Sequence, residues 1–138
     1  MKELVEVIAK SLVDSPDEVV VTEVEKENSV VILYFYDNAY FEFIPKIKDL
    51  ISELKCQGFN KIILNLSDCY FIEKDIWEYF IKLKSELVKL NGDIIISNIC
   101  GAVKNDYNLM ELSNSIAVFK DIDDALYNFG IIVRSKYA

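Results

Sequence analysis

A chain of 138 residues that is 52% hydrophobic and 28% charged is long enough for one domain around a single core and too apolar to stay disordered. Its net charge of −8 disfavours generic binding to a phosphate backbone, and the absence of histidine removes the commonest general base. No apolar run approaches the roughly 20 residues that span a bilayer, so no membrane association is expected. The start, MKELVEVIAK, lacks a signal peptide's basic end and apolar core, which leads us to expect a cytoplasmic protein.

Taken in chain order, Leu4, Val5, Ile8 and Leu12 recur at helical spacing and predict a helix over 2–13, ended at or before Ser15 by Pro16. VVVTEV (19–24) and VVILYFY (30–36) are β-branched and aromatic runs, and the polar EKENS (25–29) between them predicts a hairpin. Ile47, Leu50, Ile51 and Leu54 mark one face of a second helix, with Pro45 in its first turn and Gly58 as its stop. KIILNL (61–66) is nearly continuous in apolar residues, the pattern of a strand buried on both faces of a parallel sheet. Ile76, Phe80, Leu83, Leu87 and Leu90 then advance by alternating helical steps. Trp77, Ile81 and Val88 widen that apolar face, and Asn91-Gly92 closes the helix. DIIIS (93–97) predicts another buried strand, followed by a polar helix near 103–113 and a short strand IAVF (116–119). DIDDALYNF (121–129) predicts a last helix, with Ile122, Ala125, Leu126 and Phe129 facing inward.

That order describes an α/β protein, a single domain over 1–138. Its sheet is mixed and mostly parallel, with about four to five strands and flanking helices. An extra N-terminal helix, the 1–18 extension, and a β-hairpin open it.

Little in the chain points to catalysis or cofactor binding. Cys56, Cys69 and Cys100 are dispersed, with no CxxC pair, which argues against zinc and fits a reducing compartment. There is no G-x-x-x-x-G-K-[ST] or G-x-G-x-x-G phosphate loop. The reading is therefore a non-enzyme with no catalytic, cofactor or metal site. The feature left to explain is FIEKDIWEYF (71–80), where a strand hands over to a helix through charged residues. Asp75 is expected at the N-cap with Glu78 three residues on, a capping-box arrangement. The same position suits a functional negative charge, because a helix N-terminus accommodates one.

Residues 60–92, NKIILNLSDCYFIEKDIWEYFIKLKSELVKLNG, resemble the central segment of STAS domains, the fold of bacterial anti-sigma factor antagonists. In that family an apolar strand ending in Asn-Leu or Asp-Leu leads through a short stretch and an apolar pair. Asp-Ser-Ser/Thr-Gly then opens a helix, and a glycine precedes the next strand. IILNL (62–66), the pair Phe71-Ile72, the helix from 76 and Gly92 correspond, as does DDAL (123–126), so the resemblance covers about 19–130. At the motif's centre this chain has Glu73-Lys74-Asp75-Ile76. Asp75 stands where the phosphorylated Ser or Thr would be, and Ile76 replaces the glycine, adding bulk where a partner would approach. The resemblance implies a non-catalytic protein-interaction domain in transcription regulation that cannot be switched at this position. Its partner would be an anti-sigma factor or an ATPase-type serine kinase. The expected partner-binding residues are Asp75, Lys74, Glu73, Ile76, Tyr70 and Trp77, the two aromatics being candidates for core packing before recognition until exposure separates the roles.

Residues 1–33 are also similar to the opening α-β-β of small bacterial KH-domain RNA-binding proteins. The GxxG loop on which KH binding of RNA depends is missing, since Gly58, Gly92, Gly101 and Gly130 are nowhere so spaced. RNA binding through that segment, or a homodimer formed along the apolar hairpin edge, are the alternatives.

Overall fold

The run VVILYFY supplies a strand that pairs along both of its edges. In the computed structural model, which describes residues 5–11, 19–25 and 29–131, it forms strand β3 (Val30–Ala39), antiparallel to β2 (Val19–Glu25) as the hairpin pattern predicts. After β3 the chain runs through α1 (Ile44–Cys56), β4 (Lys61–Ile72), α2 (Lys74–Lys89) and β5 (Asp93–Ser97). Helix α3 (Gly101–Leu109), the two-residue strand β6 (Val118–Phe119) and α4 (Ile122–Asn128) complete it. Strands β3 to β6 are mutually parallel and adjacent in chain order.

The helix predicted over 2–13 is not there. Val5–Ser11 is instead a strand, β1, antiparallel to β2, with Val5 opposite Val24 and Ser11 opposite Val20. The flanks of that prediction, including Leu4 and Leu12, lie outside the described residues. The sheet therefore has six strands in the order β1-β2-β3-β4-β5-β6, beyond the four to five expected, and no helical extension opens it over 5–11. Four apolar residues at helical spacing are a weak local preference. VEVIA is β-branched at three of five positions, and β2 offers it a row of backbone groups that would otherwise be a bare edge. The same pairing corrects the idea of a dimer along the hairpin: β2 has β1 and β3 on its two sides, β3 has β2 and β4, so neither is an edge.

Successive right-handed crossovers between neighbouring parallel strands bring the intervening helices to one face. On that face Ile47, Leu50, Ile51 and Leu54 of α1, Ile76, Trp77, Phe80, Leu83 and Leu87 of α2, and Val103 and Tyr107 of α3 pack on Val31, Leu33, Phe35, Ile62, Leu64, Ile94 and Ile96. The opposite face is smaller. There Ala125 and Leu126 of α4, with Ile131, cover Val30, Ile32, Ile63 and Ile95, and Ile122 and Phe129 pack beside them. Strands buried on both faces explain why KIILNL and DIIIS read as unbroken apolar runs. Helix α4 starts on Asp121, whose carboxylate accepts from the Asp124 N–H at 2.9 Å, with Asp123 and Asp124 in the positive first turn.

Candidate functional site

Strand β4 is twice the length its apolar core suggests, and the extra half builds the site. Its pairing with β5 ends where Asn65 meets Ser97, while β3 continues beside it to Ala39 opposite Ile72. In this projecting stretch β4 bulges twice. Tyr34 faces Asn65 but Tyr36 faces Asp68, and Asp37 faces Cys69 but Asn38 faces Phe71. Tyr70 is the residue inserted by the second bulge, which is why it turns outward and is 63% exposed. Cys69 and Ile72 on either side keep their inward places.

The junction itself is clamped by Glu73. Its N–H donates to the Ala39 carbonyl at 2.9 Å, and its Oε1 accepts from the Phe41 N–H at 2.6 Å. Glu73 thus ties the entry of α2 to the exit of β3 through a charge-assisted bond. It is also the N-cap residue of α2, with extended φ −70° and ψ 150°, and its carbonyl receives the Ile76 N–H at 2.9 Å. The expected cap at Asp75 is therefore two residues too late. Asp75 lies inside the first turn, and no side chain caps the helix, so the Asp75–Glu78 capping box does not form. The extended pairing of β4 to Ile72 leaves Glu73 as the only residue with non-helical geometry before the turn begins. Asp75 keeps the favourable dipole interaction, worth about 0.3–1 kcal/mol.

Of the six residues expected to meet a partner, Tyr70, Lys74 and Asp75 are exposed and Glu73 is half-buried. Ile76 and Trp77 are 0% exposed and belong to the core. Trp77 makes edge-on ring contact with Phe80 at 6.1 Å and a tilted one with Tyr107 at 6.2 Å. Ile76 therefore does not project toward an approaching partner, as its replacement of glycine implied. Tyr107 is itself fixed by donating its hydroxyl proton to the Ile116 carbonyl, and burial raises its pKa. One turn along α2, burial and then Glu86 push Tyr79 up to about 12, so its phenol stays neutral well above ordinary tyrosine titration.

Three further neighbours of the junction, none of them expected to meet a partner, are exposed. Tyr40 and Phe41 follow β3 and are 38% and 52% exposed, and Phe71 is 39% exposed. The signal was available in YFEF (40–43), three aromatics in a four-residue connection. Connections between a strand and a helix are ordinarily polar, so such a run marks either buried packing or a recognition surface. Cys56 and Cys100 are exposed and Cys69 is buried, all three as free thiols. Among the described residues no helix is long and apolar enough to cross a membrane.

A parallel β3-β4-β5-β6 sheet with three helices on one face, and a charged strand-to-helix junction after β4, defines the class as a mixed α/β domain. The STAS domain model matches residues 21–125, most of the chain, and the protein belongs to the STAS domain family. An anti-sigma factor antagonist from Mycobacterium paratuberculosis superposes with TM-score 0.68 at 17% identity, over 86% of this chain and 100% of that one. The anti-sigma factor antagonist SpoIIAA in its unphosphorylated form gives TM-score 0.63, also at 17% identity, over 75% of this chain and 91% of that one. At such identities the likeness is one of fold. A separate match, 62% identical over 32 residues, links 23% of this chain to 43% of the RNA-binding protein KhpA of Clostridium acetobutylicum. The chain thus aligns with less than half the length of that curated relative. Within the described part of the KH-like opening, 5–11 is a strand and not the expected helix.

Proposed function

We propose that the protein is a non-catalytic, cytoplasmic interaction domain, one STAS-like unit over 1–138, that works as an anti-sigma factor antagonist-like component of bacterial transcription regulation. Its docking face is the β4–α2 junction, and Asp75 holds permanently the negative charge that relatives of this family gain by phosphorylation. The observation that carries the reading is the placement of Asp75: exposed, in the first turn of the central helix, three residues after β4 ends. A carboxylate there cannot accept phosphate from a Ser/Thr kinase, so the domain is held in one charge state. By family resemblance the partner is an anti-sigma factor or an ATPase-type serine kinase. Solved neighbours that are themselves described as anti-sigma factor antagonists support this through the shared fold.

The test compares wild type with Asp75→Ser as bait in a bacterial lysate. Because the Asp75 side chain is exposed, the variant keeps its fold. The serine protein is expected to retain an ATPase-type kinase and to incorporate phosphate from ATP, and the wild type to do neither. Retention of no such protein by either bait would end the regulatory reading.

A second reading has one observation in its favour, the match to an RNA-binding protein: single-stranded RNA held by the KH-like first 33 residues. The missing GxxG clamp and the charge of −8 oppose it. No gel shift with single-stranded RNA at low ionic strength is the expected outcome. A shift that weakens steeply with added salt would put the RNA reading first.

A further inference from the structure

Four exposed aromatic side chains are carried by the neighbouring ends of β3 and β4. Tyr40 and Phe41 leave the end of β3, and Tyr70 and Phe71 come from the bulged end of β4, all four exposed. The cluster is held in position. Tyr40 lies 5.9 Å ring to ring from both Phe71 and Phe43, Asn38 donates to the Tyr40 hydroxyl at 3.0 Å, and Glu73 pins the Phe41 backbone. The segments that carry these rings, 40–46 and 67–78, contain Glu42, Asp68, Glu73, Asp75 and Glu78 against only Lys46 and Lys74. The Lys46 ammonium already sits over the ring of Phe43, which abuts Tyr40, 5.9 Å from its centroid, so the protein itself places a cation on an aromatic face beside this cluster.

We infer that this patch docks an arginine- or lysine-bearing apolar segment of a partner protein. The inference deepens the reading of the junction as a protein-docking face and rests on it. Aromatic faces attract a cation through the ring quadrupole, and the carboxylates around them select against an anion. Single strands of nucleic acid also stack on aromatics, but they need a cationic groove that these segments do not supply. An anionic membrane surface meets the same repulsion. Aromatic anchors within a charged rim are also the usual anatomy of a recognition centre.

The experiment is fluorescence anisotropy of a labelled peptide of alternating arginine and leucine, with a counterpart carrying glutamate for arginine, against the full chain. Phe41→Ser combined with Tyr70→Ser removes the two most exposed rings and leaves the net charge untouched. The emission of the single tryptophan, Trp77, fully buried, reports that the fold is intact. The arginine peptide is expected to bind saturably, the glutamate peptide not to bind, and the double variant to lose affinity by about tenfold. Unchanged affinity in the double variant would reduce the effect to bulk attraction and overturn the inference. So would equal binding of both peptides, or wild-type self-association that the variant abolishes, since the patch would then be covered by a second copy. If the Asp75→Ser bait recruits its kinase while the peptide does not bind, the docking face survives and the chemistry assigned to its occupant falls. Peptide binding with no recruitment by either bait leaves the patch standing and removes the kinase-type partner.

Discussion

Gly92→Ala is expected to destabilise the protein by about 3 kcal/mol or more, a large part of the roughly 5–15 kcal/mol that holds a domain folded. A β-carbon at Gly92 would fall 1.9 Å from the Asn60 carbonyl oxygen and 2.7 Å from its carbon. Neither side of that contact can move. The Gly92 N–H donates to the Leu87 carbonyl at 2.8 Å, ending α2, and the next N–H, of Asp93, donates to the Asn60 carbonyl at 3.1 Å. Asn60 is fixed from its own side as well, its Nδ2 donating to the Leu90 carbonyl at 2.8 Å and its N–H to the Ser29 carbonyl at 3.3 Å. The close approach lets β4 and β5 start in register, Lys61 opposite Asp93. Gly58→Ala is the control. Gly58 has φ +94° but no atom within 4 Å of the added carbon, so only backbone strain of about 1–2 kcal/mol is at stake. Urea denaturation of both variants checks the claim. Equal losses would show that crowding at Asn60 is relieved at no expense.

Ile76→Gly is the second large effect, a loss of about 4 kcal/mol. The substitution restores the small residue that the family's Asp-Ser-Ser/Thr-Gly motif carries there, yet Ile76 is wholly buried beside Trp77 and Phe80. Truncating it leaves a cavity beneath the start of α2 and adds glycine's conformational freedom in the first helical turn. Asp75→Ser, one residue earlier and exposed, is expected to change stability by less than about 1 kcal/mol. Denaturation midpoints followed through Trp77 emission separate the two. An Ile76→Gly loss as small as that of Asp75→Ser would mean that position 76 is not part of the core. The contrast gives the departure from the family motif a physical reason on one side only. Residue 76 is held by packing and residue 75 is not.

Much of this molecule is legible without coordinates. The advance of Ile76, Phe80, Leu83 and Leu87 and the spacing of Ile47, Leu50, Ile51 and Leu54 both become the buried stripes of their helices, whereas Val88 and Leu90, expected on the same apolar face as Ile76, are exposed at the end of α2. Unbroken KIILNL and DIIIS become strands covered on two faces. The IAVF strand keeps only Val118 and Phe119, and the polar helix closes at Leu109, before a short turn at 112–114. The junction was legible as a place but not as a surface: Tyr70 and Trp77 look alike in the sequence, seven residues apart, and only one of them faces solvent.

By itself the chain determined its helices after residue 40, its central strands and the charge at Asp75, because these follow from side-chain periodicity and residue type within one element. Tertiary structure decided that 5–11 is a strand, that β4 runs on to Ile72 with two bulges, and that Glu73 and not Asp75 begins the helix. Each of these depends on a backbone partner distant in sequence, β2 for the first and the end of β3 for the others. No local pattern carries the position of such a partner, and with it goes the choice of which aromatics are left in water.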